Sequence, residues 1–239
     1  MAKKEILFKG EKYAISYEIL NTSKPDVMLF LHGWGSNKEL MKQAFSTTFP
    51  EYKHIYLDLP GFGASTVHHI LDTQDYSQLV TLFLDTLNIT PVIILGHSYG
   101  GKIATLLKPS KLILASSAGI VAPKSFKLKG RIAIYKCLKP FLPRTFYRFF
   151  ASKDVDGMKP IMYDILKKVV NEDFTNHFLQ TTSQTFIFWG KDDRATPLKS
   201  GEIIHSLIHN STFYPLEGDH FFFMKQGKKM ETLFLESGF

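Results

Sequence analysis

Ser98 stands in the run Gly96-His97-Ser98-Tyr99-Gly100, directly behind the apolar stretch VIIL at 92–95. A serine hydroxyl is a weak nucleophile until a neighbouring base takes its proton during attack. Presenting it on a sharp strand-to-helix turn crowds the backbone, and glycine on either side relieves that crowding. The helix expected behind Ser98 adds free N–H groups and the positive end of its dipole, both of which favour developing negative charge. The chemistry this predicts is acyl transfer through a serine-bound intermediate. A glycine-rich bend without chemistry is the alternative, and the strand before and helix after Ser98 argue against it.

Acyl transfer puts charge on the former carbonyl oxygen, and backbone donors already aimed there stabilise it. One expected donor is the amide of Tyr99, next to the nucleophile. The other is the amide of Trp34 in "HGWGS", where Gly33 and Gly35 permit close backbone approach and His32 braces the loop. Of nine histidines, His220 in "LEGDHFFF" is placed best for the base, because it follows the last expected strand and opens the final helix. His97 is expected to point away from its neighbour Ser98 across the turn. His68, His69, His177, His205 and His209 fall on helical patterns or a variable loop. For the acid that orients the base, "WGKDDRATP" offers Asp192 and Asp193, and the residues alone leave both open. Asp219, directly before His220, would raise the imidazole's pKa if its carboxylate faced the ring.

These groups need a scaffold that gathers loops. Apolar runs without alternation mark strands buried on both faces, and they recur at 27–31, 54–59, 92–95, 112–115, 185–189 and 211–216, after an apparent hairpin from "EILFKG" and "YAISYEI". Helical patterns lie between them, the clearest being Tyr76, Leu79, Val80, Phe83, Leu84 and Leu87 on one face. Alternating strands and helices predict an α/β fold with a mostly parallel, doubly wound sheet of about eight strands. In such sheets the reactive loops collect at the strands' carboxyl ends. One connection is too long, so residues 119–178 are expected to form an inserted helical cap over a core of 1–118 and 179–239. Met158, Ile161, Met162, Ile165, Leu166, Val169 and Val170 carry its helical pattern, and Pro140, Pro143 and Pro160 punctuate it.

Composition narrows the setting. The 239 residues, 44% hydrophobic and 21% charged, suit one large globular domain or a core with an insertion. No apolar run approaches the roughly 20 residues needed to span a bilayer, and "MAKKEILFKG" lacks the apolar core of a secretory signal. Cys137 is alone, which rules out an intrachain disulfide, fits a reducing cytoplasm, and is read as packing. No zinc spacing, phosphate-binding loop or dinucleotide fingerprint occurs, and His205 and His209 lack a third ligand, so no metal is expected. The net charge is +7, yet residues 121–170 alone carry twelve Lys and Arg against three Asp, so the rest is slightly acidic. Aromatics such as Phe126, Tyr135, Phe141 and Phe146 interleave with these bases. A solvated basic face, docking of an anionic substrate or acidic acyl-carrier protein, and interfacial membrane contact are the readings; nucleic acid and stable membrane insertion are not expected.

Taken in order and spacing, "HGWG", "DLPGFGAS", "GHSYGG", "WGKDDRATP" and "GDH" resemble the α/β-hydrolase superfamily over nearly the whole chain, the cap excepted. The resemblance implies a Ser98–Asp193–His220 triad in the fold's Ser…Asp…His order. It selects Asp193 over Asp192 as the fourth residue after the aromatic of the "WG" pair, and implies no organic cofactor. Two branches look nearest: carboxylesterases similar to pimeloyl carrier-protein methyl esterases, sharing "HGWG" and "DLPGFG", and meta-cleavage-product hydrolases, sharing the "DDR" run. His97 before the nucleophile resembles the esterase side, where carbon–carbon hydrolases more often carry Asn. Serine at 98 sets the chain apart from relatives with an aspartate nucleophile. The expectation is a cytoplasmic serine hydrolase cleaving a carboxylic ester, with carbon–carbon hydrolysis of 2-hydroxy-6-oxo-dienoates and a non-catalytic binding protein as alternatives.

Overall fold

A computed structural model of the chain describes residues 2–121 and 159–237. Its strands are β1 (Ala2–Phe8), β2 (Glu11–Leu20), β3 (Val27–Leu31), β4 (Lys53–Leu57), β5 (Ile93–His97), β6 (Lys111–Ala115), β7 (Gln184–Gly190) and β8 (Ser211–Leu216). They form one eight-stranded sheet in the order β1-β2-β4-β3-β5-β6-β7-β8. The β1–β2 and β2–β4 pairs are antiparallel and every later pair is parallel. The expected hairpin and doubly wound sheet are therefore both present.

The apolar runs supply two cores because side chains alternate along a strand. On β3, Leu29 and Leu31 enter one cluster while Met28 and Phe30 enter the other. Leu112 and Leu114 divide from Ile113 and Ala115 on β6 in the same way, and Ile187 and Trp189 divide from Phe186 and Phe188 on β7. Helices cover both faces. Among the described residues α1 (Lys38–Phe45) and α7 (Phe223–Ser237) pack on the second cluster through Phe45, Phe223 and Phe234. The first cluster is covered by α2 (Thr73–Thr86), α3 (Tyr99–Leu107), α4 (Pro160–Val169), α5 (Thr175–Leu179) and α6 (Leu198–Leu207).

Most expected elements fall where their patterns put them. α2 buries Tyr76, Leu79, Val80, Phe83 and Leu84, and Asp72 and Asp75 close a capping box at its start. β4 ends at Leu57, two residues short of the apolar run, because the Asp58 carboxylate takes amide protons from Lys38 and Ala64 and turns the chain away. β5 continues past Leu95 to His97. α4 buries Met162, Ile165 and Val169, whereas Val170 of the same pattern is 59% exposed. Residues 122–158 of the predicted cap, including Cys137, Pro140, Pro143 and the bases from Lys124 to Lys153, lie outside the described residues.

The strand order positions the site. From β3 the chain steps to β4 on one side, then returns to add β5 through β8 on the other. Loops leaving β3 and β5 consequently diverge at adjacent carboxyl ends, which opens a crevice between them. Those two loops carry Trp34 and Ser98.

Candidate active site

Ser98 has φ 51° and ψ −114°, a strained backbone for a non-glycine residue, between the end of β5 and the first turn of α3. Its carbonyl accepts from the amides of Gly101 and Ala118 at 3.0 Å each, and its own amide donates to Ala115 at 3.1 Å. Crowding explains the flanking glycines. A methyl group at Gly96 would strike the Gly100 carbonyl, and one at Gly100 would strike the Leu31 carbonyl.

The loop after β3 is pressed against this turn. A Cβ on Gly33 would lie 2.9 Å from His97 Nδ1 and 3.1 Å from Ser98 Cβ, so only glycine lets the loop come this close. His32, fully buried, holds the loop from the other side. Its Nε2 accepts from the Leu59 amide at 3.0 Å, which leaves Nδ1 as the protonated nitrogen, donating to the Gly33 carbonyl at 2.8 Å. Burial pushes its pKa down to about 4, so the ring stays neutral and serves as a brace. Among the described residues neither the Trp34 nor the Tyr99 amide donates a hydrogen bond, and both remain free for an acceptor. The Trp34 ring is edge-on to Phe62 at 4.9 Å and to Tyr99 at 5.4 Å.

His220 follows β8, as expected from the sequence, and its Nδ1 lies 2.7 Å from Asp193 Oδ2. Asp193, in the loop after β7, has a fully buried side chain, while the His220 side chain is 16% exposed. Asp193 Oδ1 accepts from the amides of Ala195 and Thr196 at 2.8 and 2.9 Å, and Oδ2 accepts from the Thr196 hydroxyl at 2.8 Å. Burial alone would raise the acid's pKa, but the His220 bond and the Thr196 amide outweigh it and hold the carboxyl at about 2. Asp193 is thus a fixed anion at the Nδ1 edge, which holds the proton there and turns Nε2 outward as the basic nitrogen. Asp192 is exposed, and among the described residues only its amide is engaged, with the Gly218 carbonyl at 2.9 Å. Asp219 folds back on its own turn, accepting from the Phe221 amide at 2.9 Å.

Asp193 and His220 are therefore brought into direct contact. The ring of His97, the chain neighbour of Ser98, is centred 4.7 Å from that of His220, and Ser98 Oγ makes no hydrogen bond to a described residue. Two contributors escaped the sequence reading. Thr196, whose hydroxyl donates to Asp193 and lies 3.1 Å from the Ser116 carbonyl just beyond β6, is part of the quoted "RATP" run. The buried pair Lys38–Asp58, 2.8 Å, links the start of α1 to the loop after β4, and Gly63 at φ 52° packs against that carboxylate. The Asp-x-x-Gly-x-Gly spacing at 58–63 was its signal. The described residues contain no cluster of His, Cys, Asp and Glu able to hold a metal ion.

Comparison with known proteins accords with this geometry. The model of the "Alpha/beta hydrolase family" matches residues 28–230. Pimeloyl-(acyl-carrier protein) methyl ester esterase of Vibrio parahaemolyticus is 26% identical over 233 residues, spanning 84% of this chain and 89% of that protein. An esterase structure from Exiguobacterium antarcticum superposes with a TM-score of 0.73 at 23% identity, covering 94% of this chain and 95% of that one. The meta-cleavage product hydrolase of Pseudomonas fluorescens superposes at 0.68 with 17% identity, covering 98% and 96%. At such identities the two structures speak for the fold. With the matched family spanning both the Ser98 turn and the His220 loop, the chain belongs to the alpha/beta hydrolase family and is a hydrolase.

Proposed function

We propose that the chain cleaves a carboxylic ester through an acyl-enzyme. His220 Nε2 takes the Ser98 proton as Oγ attacks the carbonyl carbon. The Trp34 and Tyr99 amides hold the resulting oxyanion, and His220 returns the proton to the departing alcohol. Water then attacks the acyl-serine with the same base, releasing the carboxylic acid and restoring Ser98. In this reading rotation of the Ser98 side chain closes the bond to His220 when substrate enters, since such bonds tighten in the Michaelis complex. The observation that carries it is the 2.7 Å contact of His220 Nδ1 with a buried, anionic Asp193, in a chain that holds Ser98 on a strained turn.

Residues 119–178 would form the cap over this crevice. Its excess of twelve bases over three acids in 121–170 fits an anionic substrate or an acidic acyl-carrier protein, as the name of the Vibrio relative suggests. Within the described part Lys167 is paired with Asp164 and Lys168 with Asp72. The docking charge would therefore come chiefly from the other bases. The lone cysteine agrees with a cytoplasmic setting, and no helix among the described residues is long and apolar enough to cross a membrane.

The test is labelling with a fluorophosphonate followed by short p-nitrophenyl esters. Wild type should label and turn over, whereas Ser98→Ala should do neither; labelling that persists in Ser98→Ala would remove the proposal. The "DDR" run favours one rival reading, carbon–carbon hydrolysis. A yellow 2-hydroxy-6-oxo-dienoate bleached faster than any ester is cleaved would establish that reading instead. Carrier docking should weaken as salt rises from 50 to 500 mM, on the order of the change in Debye screening; affinity that ignores salt would exclude an electrostatic partner.

A further inference from the structure

His97 was expected to point away from Ser98 and not to serve as the base, and its ring packs against that of His220, with centres 4.7 Å apart. Its Nε2 lies 3.0 Å from the main-chain carbonyl of His220, 123 residues away along the sequence. A carbonyl only accepts, so Nε2 carries the proton and donates it. The other nitrogen, Nδ1, is buried and has no hydrogen-bond partner, which is the state of an unprotonated ring nitrogen in an apolar wall. That wall consists of Phe223 and Phe221, with ring centres 4.6 and 5.4 Å away, and of the His220 ring itself at 4.7 Å. On its remaining side Nδ1 faces Gly33 of the oxyanion loop.

The arrangement is specific in what it asks of the side chain. A buried polar atom without a partner is unfavourable, and an apolar residue of similar volume at 97 would have none. The imidazole keeps one such atom in order to place a donor on the His220 backbone. Burial pushes its pKa down to about 3, so it neither charges in the working range nor competes with His220 for the Ser98 proton.

We infer that His97 is a positioning residue. Its Nε2–H pins the main chain of His220, and its ring keeps the base and the Gly33 loop at a set separation on either side of the nucleophile turn. This rests on the Ser98–Asp193–His220 reading above and adds a fourth side chain to it. The Asp193 bond fixes which way the His220 ring is turned; the His97 bond fixes where the ring stands.

Two substitutions test it, His97→Gln, which keeps a donor at similar reach, and His97→Met, which keeps length and apolarity without one. Misplacement of a reacting group by about 1 Å can lower a rate on the order of 100-fold. With p-nitrophenyl butyrate, Met should lower kcat by about 10- to 100-fold with KM within about 2-fold, and slow fluorophosphonate labelling of Ser98 by the same factor; Gln should restore both to within about 3-fold. Met as fast as wild type, or Gln as slow as Met, would overturn the inference. If Met does not fold, nitrogen-15 NMR of the wild-type imidazole decides the matter: the Nε2–H tautomer is required, and an Nδ1–H tautomer overturns it. Wild type that fails to label would instead remove the triad reading, a result distinct from any of these.

Discussion

Asp193 is worth more to this site than its charge. Four donors converge on it, from the amides of Ala195 and Thr196, the Thr196 hydroxyl and His220. An amide in its place would accept from Ala195 and Thr196 but could present an N–H where His220 needs an acceptor, forcing the wrong tautomer. We predict that Asp193→Asn folds normally and loses kcat by about 10⁴-fold, measured on a p-nitrophenyl ester. Retention of more than a tenth of the activity would place the orienting acid elsewhere. Thr196→Val removes one hydrogen bond to a charged carboxylate, worth roughly 1.5–3 kcal/mol, so kcat should fall by about 10- to 100-fold, with the change read in kcat and not in KM.

At the scale of elements, the site exists because the β3 and β5 loops touch. Gly33→Ala should leave the sheet intact while pushing the loop off the nucleophile turn, since its methyl would contact both His97 Nδ1 and Ser98 Cβ. The expected result is native circular dichroism with a kcat lower by on the order of 100-fold; unchanged kcat would show that the Trp34 amide is not required where it lies. Behind Ser98, α3 is fastened to the end of α4 and the segment that follows it. Lys102, 2% exposed, donates to the Glu172 carboxylate at 2.8 Å and to the Val169 carbonyl at 2.9 Å, and its ammonium sits 4.5 Å from the centre of the Phe174 ring. Thr73, at the start of α2, donates to the same carboxylate through its hydroxyl. Removing one partner strands the other charge in a largely buried site, so Lys102→Met and Glu172→Gln should each lower unfolding free energy by about 3 kcal/mol in a denaturant titration. A loss below about 0.5 kcal/mol would mean that water screens the pair.

The whole molecule should be acid-sensitive for a reason distinct from catalysis. His32 and His97 are neutral in the folded state, with pKa values pushed by burial to about 4 and about 3, and burial shifts His54 in the same direction. The unfolded chain protonates histidine near 6.5. Between about pH 6.5 and 4 the unfolded state therefore binds more protons than the native one, and native stability falls as pH falls. At pH 5 the deficit for His32 and His97 is on the order of 2 kcal/mol each. Asp193, held at about 2, stays charged in the native state throughout this window, and its own stabilisation is lost mainly below about pH 5 as the unfolded carboxyl protonates near 3.9. Denaturant midpoints measured at pH 7.5 and pH 5 should differ accordingly, and the difference should shrink in His97→Gln; equal midpoints would show that the two rings are not buried neutral.

Much of this was legible in one dimension. Buried parallel strands need unbroken apolar runs, so β3, β5, β6 and β7 could be read directly, as could α2 from its 3.6-residue period. The glycine-flanked turn at Ser98 and the place of His220 after the last strand were legible because glycine and histidine there have few other uses after a strand. Other features depend on chain segments far apart in the sequence. Periodicity does not tell where β4 ends, because Asp58 leaves the strand for partners on α1 and in its own loop. Nor does it choose between adjacent carboxylates: Asp193 rather than Asp192 faces His220 through the course of the loop after β7. In sequence His97 reads as unsuited to be the base, and its partner among the described residues is a main-chain atom 123 residues away. Local residue types specify which elements form and which groups can react; distances of a few ångströms between those groups follow only once the sheet order and the packing of both faces are set.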